Sequence, residues 1–81
     1  MKEHRLKTWP EFYVPLAAGL KTAEIRFNDR DFSIGDRLYL EEWEPSTKTF
    51  TGNLQIRHIS HILRDHPGLT PGYALLSFRE E

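Results

Sequence analysis

Lys21, Glu24 and Arg26 bring an ammonium, a carboxylate and a guanidinium together in one short run, Gly19-Leu20-Lys21-Thr22-Ala23-Glu24-Ile25-Arg26. Residues two apart on a strand share a face, so Glu24 and Arg26 point the same way, and a lysine in the turn before the strand reaches the same place. Two cations beside a carboxylate suit an anion or a polar planar ligand. They also suit proton transfer, with Lys21 and Glu24 as the acid–base pair of an enzyme. An ordinary lysine is almost fully protonated at neutral pH, so acting as a base requires burial or a neighbouring cation, and a paired glutamate works against it. The competing structural reading is an ion-pair network that only orders a cleft. Position favours the ligand, because a helix end beside a strand is where binding sites collect.

Other residues extend the set. Thr22 lies beside Lys21, and Lys7, Trp9 and Tyr73 are candidate walls: an indole or phenol stacks on a base while Lys7 or Arg30 meets a phosphate. Each aromatic taken singly reads more simply as packing. In Asn28-Asp29-Arg30-Asp31 the two aspartates pin a turn, while Asn28 and Arg30 are presented to a ligand. His4, His58, His61 and His66 do not have metal-ligand spacing. His58 and His61 fall on opposite faces of a strand unless a bulge intervenes, and all four histidines read as surface residues.

These residues need elements to hold them. His4 to Thr8 reads as a short edge strand. Thr8 to Glu11 has capping-box spacing, Pro10 suits a first helical turn, and Phe12, Leu16 and Trp9 share a helical face up to about Ala18. Pro15 should kink or shorten that helix, and Gly19 fits the left-handed residue that closes it. Ala23, Ile25 and Phe27 then alternate with Glu24, Arg26 and Asn28, which is a strand pattern. Phe32 and Ile34 anchor the following loop, and Gly35-Asp36 turns the chain into a strand over Arg37 to Trp43. Glu44 to Lys48 is a connection. Phe50 to Leu63 is one long strand or a bent pair whose apolar parity switches near His58, as at a bulge. Loops at His66-Pro67-Gly68 and Pro71-Gly72 precede Tyr73 to Phe78, apolar on both faces and so a central strand.

The whole is one domain, residues 1–81, of mainly β α+β class: about five strands with one N-terminal helix. One helix cannot cover an open sheet of that size, so a closed or half-closed small barrel plugged by the helix is expected, with the cleft between the helix end and the face carrying Glu24 and Arg26. The chain has no cysteine, hence no disulfide or thiolate metal site. Eleven Lys and Arg against 12 Asp and Glu give a formal charge of -1, which excludes bulk electrostatic gripping of nucleic acid but leaves room for a local basic cleft. No apolar run has the length of a signal or membrane segment, so a soluble cytoplasmic protein, monomeric and without a membrane partner, metal or cofactor, is the expectation.

The residues resemble a known family. Gly19-x-Lys21-x-x-Glu24-x-Arg26 is similar to the G-x-K-x-x-E-x-R signature of ASCH domains, in the PUA-like superfamily of small β-barrels associated with RNA. The closer resemblance is to the DUF3850 group. It rests on His4-x-Leu6-Lys7-x-Trp9-Pro10, on Lys21-Thr22-x-Glu24-Ile25-Arg26-x-Asn28-Asp29-Arg30-Asp31-Phe32, on Gly35-Asp36, Tyr39-Leu40-x-Glu42 and Phe50-Thr51-Gly52, and on Gly68-Leu69-x-Pro71-Gly72-Tyr73. That resemblance implies a PUA-like barrel in a bacterial or phage protein, and RNA or nucleotide binding ahead of any reaction. A related ASCH branch hydrolyses an acylated cytidine with a lysine, a threonine and a glutamate. Lys21 matches the lysine, but Glu24 stands where that branch has its threonine, and the branch's glutamate lies in a C-terminal helical segment with no counterpart here. Three functions are therefore carried forward: an RNA- or nucleotide-binding cleft; a small hydrolase of a modified nucleoside or the RNA backbone, with Lys21 and Glu24 catalytic; and a protein-interaction module using Trp9 and Trp43.

Overall fold

Five strands and one helix form from these patterns, and a computed structural model describes all 81 residues, Met1–Glu81. The elements are β1 (Glu3–Thr8), α1 (Pro10–Ala17), β2 (Ala23–Phe27), β3 (Arg37–Glu44), β4 (Thr49–Arg64) and β5 (Tyr73–Glu80). One sheet of order β1-β3-β4-β5-β2 contains all of them, with β1 parallel to β3 and the other neighbours antiparallel. It curls into a half-barrel: β1 and β2 are its two ends and share no ladder, although Arg26 of β2 reaches the backbone of β1. The expected number of strands and the single helix are present; the mainly β fold is open along one seam.

The core fills the inside of the curl. Leu6, Leu38, Leu40, Ile59, Ala74, Leu76 and Phe78 point inward from the strands, Leu16 comes from α1, and Phe32 comes from the loop after β2. Burial in β1 alternates, with His4, Leu6 and Thr8 inward. β4 keeps its apolar side chains on the core through a register shift between Ile59 and His61, where Ser60 is the extra residue, so that Ile59 faces Phe78 and Ile62 faces Leu76. That bulge is the parity switch expected near His58. It also puts His58, opposite Arg79, and His61, opposite Ser77, on the same outer face, since Arg79 and Ser77 are two apart on β5.

The helix differs from its expected form. Thr8 ends β1 and caps nothing; Trp9 is the N-cap without a side-chain hydrogen bond, because the strand ladder already fixes Thr8 pointing inward. The buried helical residues are Tyr13 and Leu16, while Trp9 and Phe12 are 48% and 47% exposed. Pro15 lies inside the helix without ending it, and helix and sheet are tied by Arg57 Nη2 donating to the Leu16 carbonyl (3.1 Å) and Gln55 Nε2 to the Tyr13 hydroxyl (3.3 Å). Ile34 is exposed, leaving Phe32 as the only one of the expected pair in the core. His4 and His58 are buried rather than superficial.

Candidate functional site

The end of α1 aims Lys21. Gly19 adopts φ 78°, its amide bonds the Leu16 carbonyl (3.0 Å), and the Pro15 carbonyl accepts from the amides of Leu20 (2.9 Å) and Lys21 (3.0 Å). This Schellman-like closure delivers the chain to β2. The Lys21 ammonium then donates to the Ala23 carbonyl and lies 3.9 Å from Glu24 Oε1. Arg26 Nε donates to Glu24 Oε2 at 2.5 Å, and Arg26 Nη2 donates to the Lys7 carbonyl at 2.6 Å. The three charged groups meet, as their spacing predicts.

β2 is inverted relative to an ordinary half-buried strand. Glu24 is buried and Arg26 half-buried inside the curl, whereas Ile25 and Phe27 are exposed on the outside. The seam explains how charge is tolerated there: β2 pairs with β5 on one side only, so its inward side chains border an opening. Two cations against one carboxylate leave the opening a net positive charge, in surroundings where charge interactions are less screened than on open surface.

The seam is a cleft of about 740 Å³, within the range of small-molecule sites. Lys7, Thr8 and Trp9 line it from β1 and the helix start, Phe12 and Lys21 from the helix side, and Glu24 and Arg26 from inside the curl. Ile25 and Phe27 of β2, with Tyr73 and Leu75 of β5, carry it over the strand edge. Phe27 and Tyr73 meet edge to face at 5.4 Å between centroids, and the Lys21 ammonium lies 5.9 Å from the Phe12 ring centre.

Of the residues predicted for the site, Lys7, Trp9, Lys21, Glu24, Arg26 and Tyr73 line this cleft, and Thr22, Asn28 and Arg30 do not. Lys7 contributes its carbonyl, while its ammonium rests 3.9 Å above the Trp43 ring on the outer face. Thr22 spends its carbonyl on the Phe78 amide (2.8 Å). Asn28 pins the turn, its Oδ1 accepting from the Phe32 amide (3.2 Å), a task assigned from sequence to Asp29 and Asp31. Asp29 instead pairs with Arg30 at 3.8 Å, and Asp31 meets the Lys2 ammonium at 3.3 Å. Sequence reasoning missed Thr8, Phe12, Ala23, Ile25, Phe27 and Leu75. Alternation groups Ile25 with Phe27 but does not say which side of the sheet faces the core. Thr8 Oγ1 is buried without a hydrogen-bond partner.

Residues 3–78 match the family model described as Domain of unknown function (DUF3850). The chain belongs to the DUF3850 family. The matched span begins with β1 and ends within β5, so the DUF3850 region contains every residue that lines the cleft. A comparison with curated proteins gives no match.

A second buried pair in the DUF3850 region lies outside the cleft lining. His4 Nε2 donates to Asp36 Oδ2 at 2.8 Å, and the amides of Lys2 and Ser33 donate to the same carboxylate at 3.0 Å each. Burial pushes the Asp36 carboxyl up, but the His4 contact and the two amides outweigh it and hold the group below its ordinary value of 3.8. The His4 ring also packs edge to face on Phe32, 4.7 Å between centroids. No group of three or more His, Cys, Asp or Glu side chains could hold a metal ion, and no helix is long and apolar enough to cross a membrane.

Proposed function

We propose that this domain binds RNA or a nucleotide-like ligand in the cleft around Lys21, Glu24 and Arg26, and that it is a PUA-like relative of the ASCH domains acting as a monomer in the cytoplasm of a bacterium or an infected bacterial cell. One observation carries the reading: a net-positive cluster of three charged side chains opens into a cleft walled by half-exposed aromatics. An aromatic wall holds a base by its face, and a cation beside it takes a phosphate or a carbonyl edge. The resemblance of Gly19-x-Lys21-x-x-Glu24-x-Arg26 to the ASCH signature points the same way.

Binding is favoured over hydrolysis by how Lys21 is held. Its ammonium donates to the Ala23 carbonyl and lies 3.9 Å from Glu24 Oε1, so it is placed as a hydrogen-bond donor tied to its own strand, whereas a general base must be aimed at the proton it takes from the ligand.

Thermal shift against nucleosides, nucleotides and short RNAs tests the proposal, since a ligand of the native state raises the melting temperature. Lys21→Ala removes one cation without stranding a buried carboxylate, because Arg26 still holds Glu24. The variant is expected to fold and to lose the shift. A shift equal to that of the parent protein would overturn the assignment, and turnover of an acylated nucleoside that vanishes in Lys21→Ala would replace binding with catalysis.

A further inference from the structure

We propose that the outer face of β1 and β3 extends the cleft into a track for single-stranded RNA, so that the ligand is an oligonucleotide rather than a free nucleotide; this rests on the cleft holding a nucleotide-like group. Lys7 is the junction. Its carbonyl lies in the cleft, bonded to Arg26, while its side chain leaves on the opposite face of β1. There the ammonium sits 3.9 Å over the Trp43 ring and 6.0 Å from the centre of Phe50, which meets Trp43 edge to face at 4.8 Å. A register shift between Glu41 and Trp43 sets that aromatic pair in place, and Phe50 is 50% exposed.

The charges on this face select the contact. Arg5 stacks over Tyr39 at 4.7 Å but is held by Glu41 at 2.5 Å, and Arg37 and Tyr39 are engaged by Glu3. The Lys7 ammonium forms no ion pair and rests on rings alone. An uncommitted cation over a half-buried Trp43 and an exposed Phe50, on the strand that also lines the cleft, offers one phosphate contact and one stacking surface for the nucleotides that follow. Binding of this kind leans on stacking, which fits a chain whose formal charge is -1.

The chain has two tryptophans, one at each place, so their indole N–H resonances report on the two sites separately. The probes are an equimolar mixture of the four nucleoside monophosphates and a mixed-sequence single-stranded RNA of about ten nucleotides, a length that one small barrel spans. The monophosphates are expected to shift Trp9 alone; the RNA is expected to shift both and to bind at least about tenfold more tightly, the worth of one stacked base. Trp43→Ala should remove that gain and leave monophosphate binding unchanged, and Lys7→Gln should lower the salt dependence of RNA binding by about 0.7 in log–log slope, one phosphate on a single strand. RNA that binds no more tightly than the monophosphates, with Trp43 unmoved, would overturn the track and leave the cleft standing. Silence at Trp9 with both probes would remove the cleft reading and the track together.

Discussion

Asp36 shows how much a single carboxylate organises. It accepts from the His4 ring and from the amides of Lys2 and Ser33, and so ties the start of β1 to the loop that enters β3. Because its folded pKa lies below the ordinary 3.8, the group adds stability that is fully present above the unfolded value and disappears as pH falls through the folded one. Asp36→Asn should therefore melt lower than the parent protein at pH 7, with the gap narrowing once the pH drops below about 4. Melting temperatures followed from pH 7 to pH 2 check this; a gap that stays constant would show that the carboxylate's charge is not what stabilises the junction. Glu24 is the counterpart in the cleft, buried but held by Arg26 and Lys21, so loss of Lys21 still leaves its carboxylate paired.

The elements owe their placement to a few backbone positions. α1 continues through Pro15 because its end is sealed beyond that residue, by Gly19 at φ 78° and by amides donating to the Pro15 carbonyl. Gly72, before β5, also has positive φ, 88°, but a Cβ there would come within 2.8 Å of Phe27 Cε1, whereas one at Gly19 would meet nothing within 4 Å. Gly19→Ala should accordingly cost only the left-handed strain, about 1–2 kcal/mol. Gly72→Ala should cost more and also turn Phe27 away from Tyr73, weakening ligand binding that Gly19→Ala spares by that route. Calorimetric melting and ligand titration on both variants decide it, and equal losses would mean that the Phe27–Tyr73 wall does not depend on the turn.

At the scale of the molecule the decisive feature is the unclosed seam. Thr22 and Asn28 bond toward β5, so the intervening odd residues of β2, Ile25 among them, direct their amides at the seam; Lys2 bonds toward β3, so Arg5 and Lys7 of β1 do the same. Hydrogen exchange should find the Arg5 and Ile25 amides less protected than those of Leu40 and Leu76, which belong to strands paired on both sides. Equal protection would mean that the seam is closed in solution.

Much of this architecture is legible in the sequence because the signals are local. Alternation marks β2 and β3, an apolar run marks β5, the parity switch in β4 announces the bulge at Ser60, and Gly19 marks the end of the helix, each from interactions within a few residues. The meeting of Lys21, Glu24 and Arg26 follows from their spacing alone. What a period of two cannot say is which face of a strand is the inner one, and that is why Ile25 and Phe27 became cleft walls, Thr8 left its expected cap for the interior, and the side chain of Lys7 turned toward Trp43. Those outcomes depend on long-range pairing: β1 beside β3, β2 beside β5, and no ladder between β1 and β2. The chain by itself determined its elements and its charged cluster; only the curl of the sheet decided that the cluster opens at a seam, because inside and outside exist only once distant strands have been brought together.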